Sequence, residues 1–163
     1  MMLPFHSAQK ISQKESLEKA TNAIVAYVSL LDGTKKKLPE DLFDEIYQTN
    51  FTGIIDNRHF ITRQDLKEIH SGYFMDGCNA KIIHLRQVGE CSIDMKLRLH
   101  SEKGDLFIRK LYTIKDGKVA TVMKYTATLA SMYPSDSAKK QLRPRHYYSG
   151  STIVECAVAS KVS

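Results

Sequence analysis

The sequence predicts an α+β domain in which three N-terminal helices pack on one face of a curved, mainly antiparallel sheet. Three observations carry that expectation. Apolar residues recur at helical spacing over residues 12–31 and 62–76, they alternate strictly with polar ones over 91–100, and Gly-containing turns then punctuate the chain at strand-length intervals.

The first helix is predicted over 12–31, where Leu17, Ala20, Ile24, Tyr27 and Leu31 form one stripe. Ser12 and Glu15 have capping-box spacing at its start, and Asp32-Gly33 ends it. Pro39-Glu40-Asp41 suits the first turn of a second helix, with Leu42, Phe43, Ile46 and Tyr47 as its apolar face and an end near Asn50. Phe51–Ile55 and His59–Ile61 read as two short strands joined by a turn at Asp56-Asn57. Thr62 opens a third helix with the face Leu66, Ile69 and Tyr73, His70 and Phe74 lying beside it, and Gly77 breaks it. Four long strands follow over 78–88, 91–100, 105–114 and 118–129. Gly89-Glu90, Glu102-Lys103-Gly104 and Asp116-Gly117 are their turns. On the third, Leu106, Ile108, Tyr112 and Ile114 share a face on which Lys110 intrudes. Strand alternation points its amine inward, and an irregular edge would point it outward. On the fourth, the expected inner set is Val119, Thr121, Met123 and Tyr125.

With 163 residues, 42% of them hydrophobic and 26% charged, the chain has the make-up of one domain with its own core. The expected division is an arm over 1–11, a domain over 12–133 and a basic extension over 134–163. That extension carries half of the net charge of +6. Its Lys and Arg residues, with Tyr147 and Tyr148, are read as a solvated tail, and nucleic-acid binding is not expected. Residues 151–159 are apolar enough for an added strand or short helix. No segment approaches the roughly 20 apolar residues of a membrane span, and the N-terminus lacks the pattern of a secretory signal, which together imply a cytoplasmic protein. Cys78, Cys91 and Cys156 are odd in number with no C-x-x-C spacing, so three reduced thiols are expected. His59 and His70 stand eleven positions apart on different elements, without metal-ligand spacing. There is no P-loop, nucleophile elbow or dinucleotide fingerprint, so no metal and no cofactor is expected.

The phrases "AIVAYVSLLDG", "FDEIYQTNFTGIID", "TRQDLKEIHSGYF" and "LYTIKDGKVATVMKY", in that order of elements, resemble the nuclear-transport-factor-two-like superfamily, which includes ketosteroid isomerases and SnoaL-type cyclases. The resemblance spans residues 12–129. It implies a cystatin-like cone with a pocket inside, and frequent homodimerisation. Two positions of the ketosteroid isomerase pattern carry over: Tyr27, as the donor to a substrate oxyanion, and Asp56, as the carboxylate that moves the proton. The third isomerase element, a protonated aspartate, is matched by Lys110, so that set is incomplete.

The resemblance therefore implies a pocket protein that binds a small, largely apolar molecule, with Asp56 and Tyr27 available for isomerisation, dehydration or cyclisation without a cofactor. Tyr73, Phe74, Lys110, Tyr112, Met123 and Tyr125 are the expected ligand-lining residues. The alternative is a non-catalytic dimerisation or protein-interaction module of the same fold, using the polar sheet face of Ser92, Asp94, Lys96, Arg98 and His100 or the basic tail. His70 is expected to be a packed or boundary residue.

Overall fold

The computed structural model describes residues 11–127. The expected arm, the basic extension and the element at 151–159 lie outside the described residues. Helices α1 (Gln13–Ser29) and α2 (Glu40–Ile46) are followed by strands β1 (Tyr47–Ile55) and β2 (His59–Thr62), helix α3 (Arg63–Met75) and then strands β3 (Asn79–Val88), β4 (Ser92–Ser101), β5 (Gly104–Lys115) and β6 (Lys118–Ala127). The strands form one six-stranded sheet in the order β2-β1-β6-β5-β4-β3. All neighbours are antiparallel except β1 and β6.

Local chemistry sets the ends of the helices. The Ser12 hydroxyl accepts from the Glu15 N–H at the start of α1, and Thr62 and Asp65 form a complete reciprocal capping box at the start of α3. The second helix stops at Ile46, short of the expected Asn50. Tyr47 is already a strand residue, paired with Val119 of β6, so tertiary pairing captures the segment that helical spacing would have continued.

Two tight turns use the residues that tolerate left-handed backbone. Asp56 and Asn57 have φ of 52° and 58° between β1 and β2, and Asp116-Gly117 has 53° and 76° between β5 and β6. At Gly53 the constraint is space: a Cβ there would lie 3.0 Å from both Ile61 and Val122.

The inner sheet face and the three helices enclose the core. Ile93, Met95, Leu97 and Leu99 of β4 point into it, and the buried stripe of α1 is Leu17, Ala20, Ile24, Tyr27 and Val28. Phe43 is fully buried, with its ring 4.6 Å from that of Tyr47.

The inner set of β6 differs from the expected one. Ile114 pairs with Val119 but Thr113 pairs with Thr121, so the register slips by one residue beside Ala120. After that bulge every side chain changes face. Val122 and Lys124, opposite Tyr112 and Lys110, point inward, and Met123 and Tyr125, opposite Leu111 and Arg109, point to the outer face. The Tyr125 hydroxyl bonds to Asn57 there.

On that outer face Arg109 grips Asp94 with two nitrogens, at 3.1 and 3.2 Å, and both residues are buried. Cys78 is a free buried thiol. No helix among the described residues is long and apolar enough to cross a membrane.

Candidate functional site

A cavity opens inside the cone between α1, α3 and the inner face of the sheet. Its wall is mostly apolar, with Ile24, Val28, Leu97 and Ile108 among its members, and its polar groups are Tyr27, Tyr47, His70, Tyr73, Lys110 and Tyr112. The space open to the centre of a water-sized sphere is about 20 Å³, enough for about one water molecule. Among the lining residues only Tyr73 and Ala80 retain partial exposure, so the route to solvent passes them.

The histidine at the centre comes from α3, where Leu66, His70 and Phe74 are the buried residues, four positions apart. Its Nδ1 lies 2.9 Å from the Tyr27 hydroxyl and its Nε2 lies 3.2 Å from the Lys110 Nζ. Tyr73 stacks on the same ring with centroids 5.9 Å apart, and the Lys124 ammonium donates to the Tyr73 hydroxyl at 2.6 Å. Helix α1 thus supplies the tyrosine, α3 the imidazole, and β5 and β6 one lysine each.

Electrostatics explain which groups carry charge. Burial holds the His70 imidazole well below its ordinary range, and the charges of Lys110 and Lys124 push it the same way, so the ring is neutral. Burial brings Lys110 down to about 7, helped by the like charge of Lys124. Lys124 is brought down to about 8 by burial, against a smaller upward pull from Asp56. Burial raises the Tyr73 phenol to about 12 and those of Tyr27, Tyr47 and Tyr112 further.

Two proton arrangements satisfy the Tyr27–His70–Lys110 chain. A charged Lys110 donates to Nε2, so Nδ1–H donates to the Tyr27 oxygen and the phenolic O–H is free to face the cavity. A neutral Lys110 amine accepts from Nε2–H, and the Tyr27 O–H then donates to Nδ1. Removing one proton from the lysine therefore gives its nitrogen a lone pair and allows the donors along the whole chain to reverse.

Of the residues singled out in the sequence, Tyr27, Tyr73, Lys110 and Tyr112 line the cavity. Phe74 is buried behind it, edge-on to Tyr27 with centroids 6.0 Å apart. Met123 and Tyr125 do not line it, because the β6 bulge turns them outward. Asp56 does not line it either. Its carboxylate accepts from the Thr126 backbone N–H at 2.9 Å in an exposed turn, and it acts on the cavity only through its field at Lys124.

Sequence reasoning missed His70 and Lys124. For His70 a signal existed: it stands four residues from both Leu66 and Phe74, on the face that packs inward. For Lys124 none did, since only the bulge places it inside. Among the described residues no group of three or more His, Cys, Asp or Glu is arranged to hold a metal ion.

With this geometry in hand, three solved structures place the architecture. An NTF2-like protein of unknown function from Burkholderia xenovorans LB400 superposes with a TM-score of 0.56 at 14% identity, covering 81% of this chain and 97% of that one. The chain has the nuclear-transport-factor-two-like fold. A candidate SnoaL-like polyketide cyclase from Jannaschia sp. CCS1 matches this NTF2-like cone at TM-score 0.54 and 15% identity, over 71% of this chain and 90% of that one. A candidate ketosteroid isomerase from Kribbella flavida matches it at 0.54 and 15%, over 77% and 88%. No family model and no curated protein matches the sequence. At such identities the NTF2-like fold is shared, and the polar chain inside it is read from this protein's own residues.

Proposed function

We propose that the protein binds a small molecule with an apolar body and an oxygen-bearing head inside the cone, and that Tyr27, His70 and Lys110 hold that head. The observation that carries this reading is the convergence of one phenol, one imidazole and one amine on a wall that is otherwise largely apolar. A structural core would fill those positions more cheaply with aliphatic residues, because each polar group there loses its hydration. With Lys110 charged and donating to His70, the Tyr27 O–H faces the cavity and can donate to an oxygen that gains charge, while the Lys110 amine, when it gives up its proton, is the basic group beside it. Isomerisation, dehydration or cyclisation without a cofactor are reactions of that kind. Asp56 contributes through its charge on Lys124.

A second reading, a non-catalytic dimerisation or protein-interaction module, is favoured by the small free volume of the cavity. The polar sheet face expected to serve it is partly used up within the chain, since Ser92 and Asp94 are buried.

Ligand-observed NMR with a library of small carbonyl and carboxylate compounds separates the two. Binding that disappears in Lys110→Met supports the pocket. Absence of any bound compound, together with a concentration-dependent dimer in sedimentation, sinks it in favour of the module.

A further inference from the structure

Lys110 and Lys124 are directly opposite each other on β5 and β6, and both side chains point into the cone. Like charges directly opposite across a ladder repel, and both residues are buried, with 5% and 7% of their surface exposed. Among the described residues no carboxylate forms an ion pair with either amine. The partners they do have are the imidazole of His70 and the phenol of Tyr73, neither of which supplies a negative charge. Two buried amines thus share the interior of the cone without an ion pair: Lys110 lines the mostly apolar cavity with a proton acceptor 3.2 Å from its Nζ, and Lys124 lies behind Tyr73, which lines it.

We propose that Lys110 is an imine-forming nucleophile for a small 2-oxo acid, whose carboxylate pairs with Lys124 while its keto carbon meets the Lys110 amine. The inference rests on the pocket reading and names its substrate class. A desolvated amine beside a second cationic group is the environment that frees a lysine to act as a nucleophile at neutral pH.

The chemistry balances without any further reagent. His70 Nε2 takes a proton from the Lys110 ammonium, and the free amine adds to the keto carbon. A C–N bond forms as the carbonyl π pair moves to oxygen, which collects a proton relayed through His70. The adduct nitrogen then gives up one proton, which passes to that oxygen; the oxygen leaves as water, and the lone pair freed on nitrogen closes the C=N bond. Ammonium plus ketone become iminium plus water. No electron is gained or lost.

Entry has a structural requirement. A 2-oxo acid is larger than the one water the cavity admits, and Tyr73 is one of the two lining residues with partial exposure. Turning Tyr73 outward opens the space and at the same time removes the acceptor of Lys124. The ligand carboxylate replaces it. The titratable groups facing the reacting amine are then His70 and Tyr73 from α3, Tyr27 from α1, Tyr47 from β1, Tyr112 from β5 and Lys124 from β6. Met95, its neighbour on β4, is apolar.

The test is reductive trapping on the full chain, using sodium pyruvate with sodium cyanoborohydride at neutral pH, read by intact mass and peptide mapping. The expected result is one reduced pyruvyl adduct per chain, on Lys110, absent from Lys110→Arg. Lys124→Met is expected to slow trapping of pyruvate at least severalfold more than trapping of acetone, which lacks the carboxylate, and to move the pH midpoint of labelling upward. Adducts scattered over surface lysines, or an adduct that persists in Lys110→Arg, overturn the proposal. So does pyruvate that raises the melting temperature of the wild type and gives no adduct, an outcome that leaves the pocket reading standing. Equal slowing of pyruvate and acetone in Lys124→Met overturns the assignment of the carboxylate to Lys124.

Discussion

Lys110 and Lys124 are cross-strand partners that both face the interior of the cone, and each is bonded to an aromatic residue of the same helix, His70 and Tyr73. Two buried amines in this position make the stability of the fold depend on proton concentration in a way that is open to measurement.

Lys110 titrates at about 7 in the folded chain and in the ordinary range near 10.5 when unfolded, and Lys124 at about 8. Between these values the unfolded chain binds more protons than the folded one, so stability rises with pH from about 7 to about 10. Below about 7 both states of Lys110 are charged and its contribution is at its least favourable. His70, held below its usual range, adds a further loss as the pH falls through the mid-sixes. The buried tyrosines, raised above theirs, oppose the gain only above pH 10. At about 1.4 kcal/mol per pH unit of displacement for each lysine, the rise is at most on the order of 8 kcal/mol. Urea unfolding across this window is expected to show it in the wild type and a much flatter profile in Lys110→Met.

Tyr27→Phe removes the partner of His70 Nδ1 and leaves that nitrogen buried without a hydrogen bond. The expected cost is about 1–3 kcal/mol. In a double-mutant cycle with His70→Phe the two losses are expected to be less than additive by roughly 1 kcal/mol, because both changes break one interaction. Strict additivity in denaturant melts would show that the contact contributes nothing.

Asp56→Ala loses the acceptor of the Thr126 N–H and places alanine at a φ of 52°. Together these are expected to cost about 1–3 kcal/mol. Asp56→Asn keeps an acceptor and tolerates the left-handed backbone, so its melting temperature stays near that of the wild type. Binding of small carbonyl compounds, followed by NMR, is expected to change less than twofold in Asp56→Asn. A larger loss there, with stability intact, would give the carboxylate a direct role in the pocket.

Asp94 has no exposed surface and is held by two nitrogens of Arg109, with Arg86 at 4.0 Å. Replacing it by alanine removes both of these charge-assisted hydrogen bonds from a buried guanidinium. The expected destabilisation is about 3–5 kcal/mol, measured by chemical unfolding, with the cavity on the opposite sheet face unaltered.

The elements were legible because their signals are local. Helix α1 shows its stripe and its Ser12 cap, α3 shows the Thr62-Asp65 box, and β4 alternates residue by residue with its inner members all buried. Capping, periodicity and left-handed turns involve residues a few positions apart, so the chain needs no distant partner to express them. Half of the site was legible for the same reason, since Tyr27 lies on a helical stripe and Lys110, Tyr73 and Tyr112 on regular faces.

The sequence by itself therefore determined the α+β layout, the order of its elements, and the inward face of α1 and β4. Tertiary structure alone decided what the cone contains. A one-residue slip at Ala120 exchanged Met123 and Tyr125 for Val122 and Lys124, because strand side chains alternate with period two and a single extra residue reverses them all. The packing angle of α3 brought His70 between Tyr27 and Lys110, residues 43 and 40 positions away. The turn at Asp56 directed its carboxylate to a backbone N–H 70 residues on. Contacts over such separations are set by how elements dock and register against one another, which no local pattern encodes.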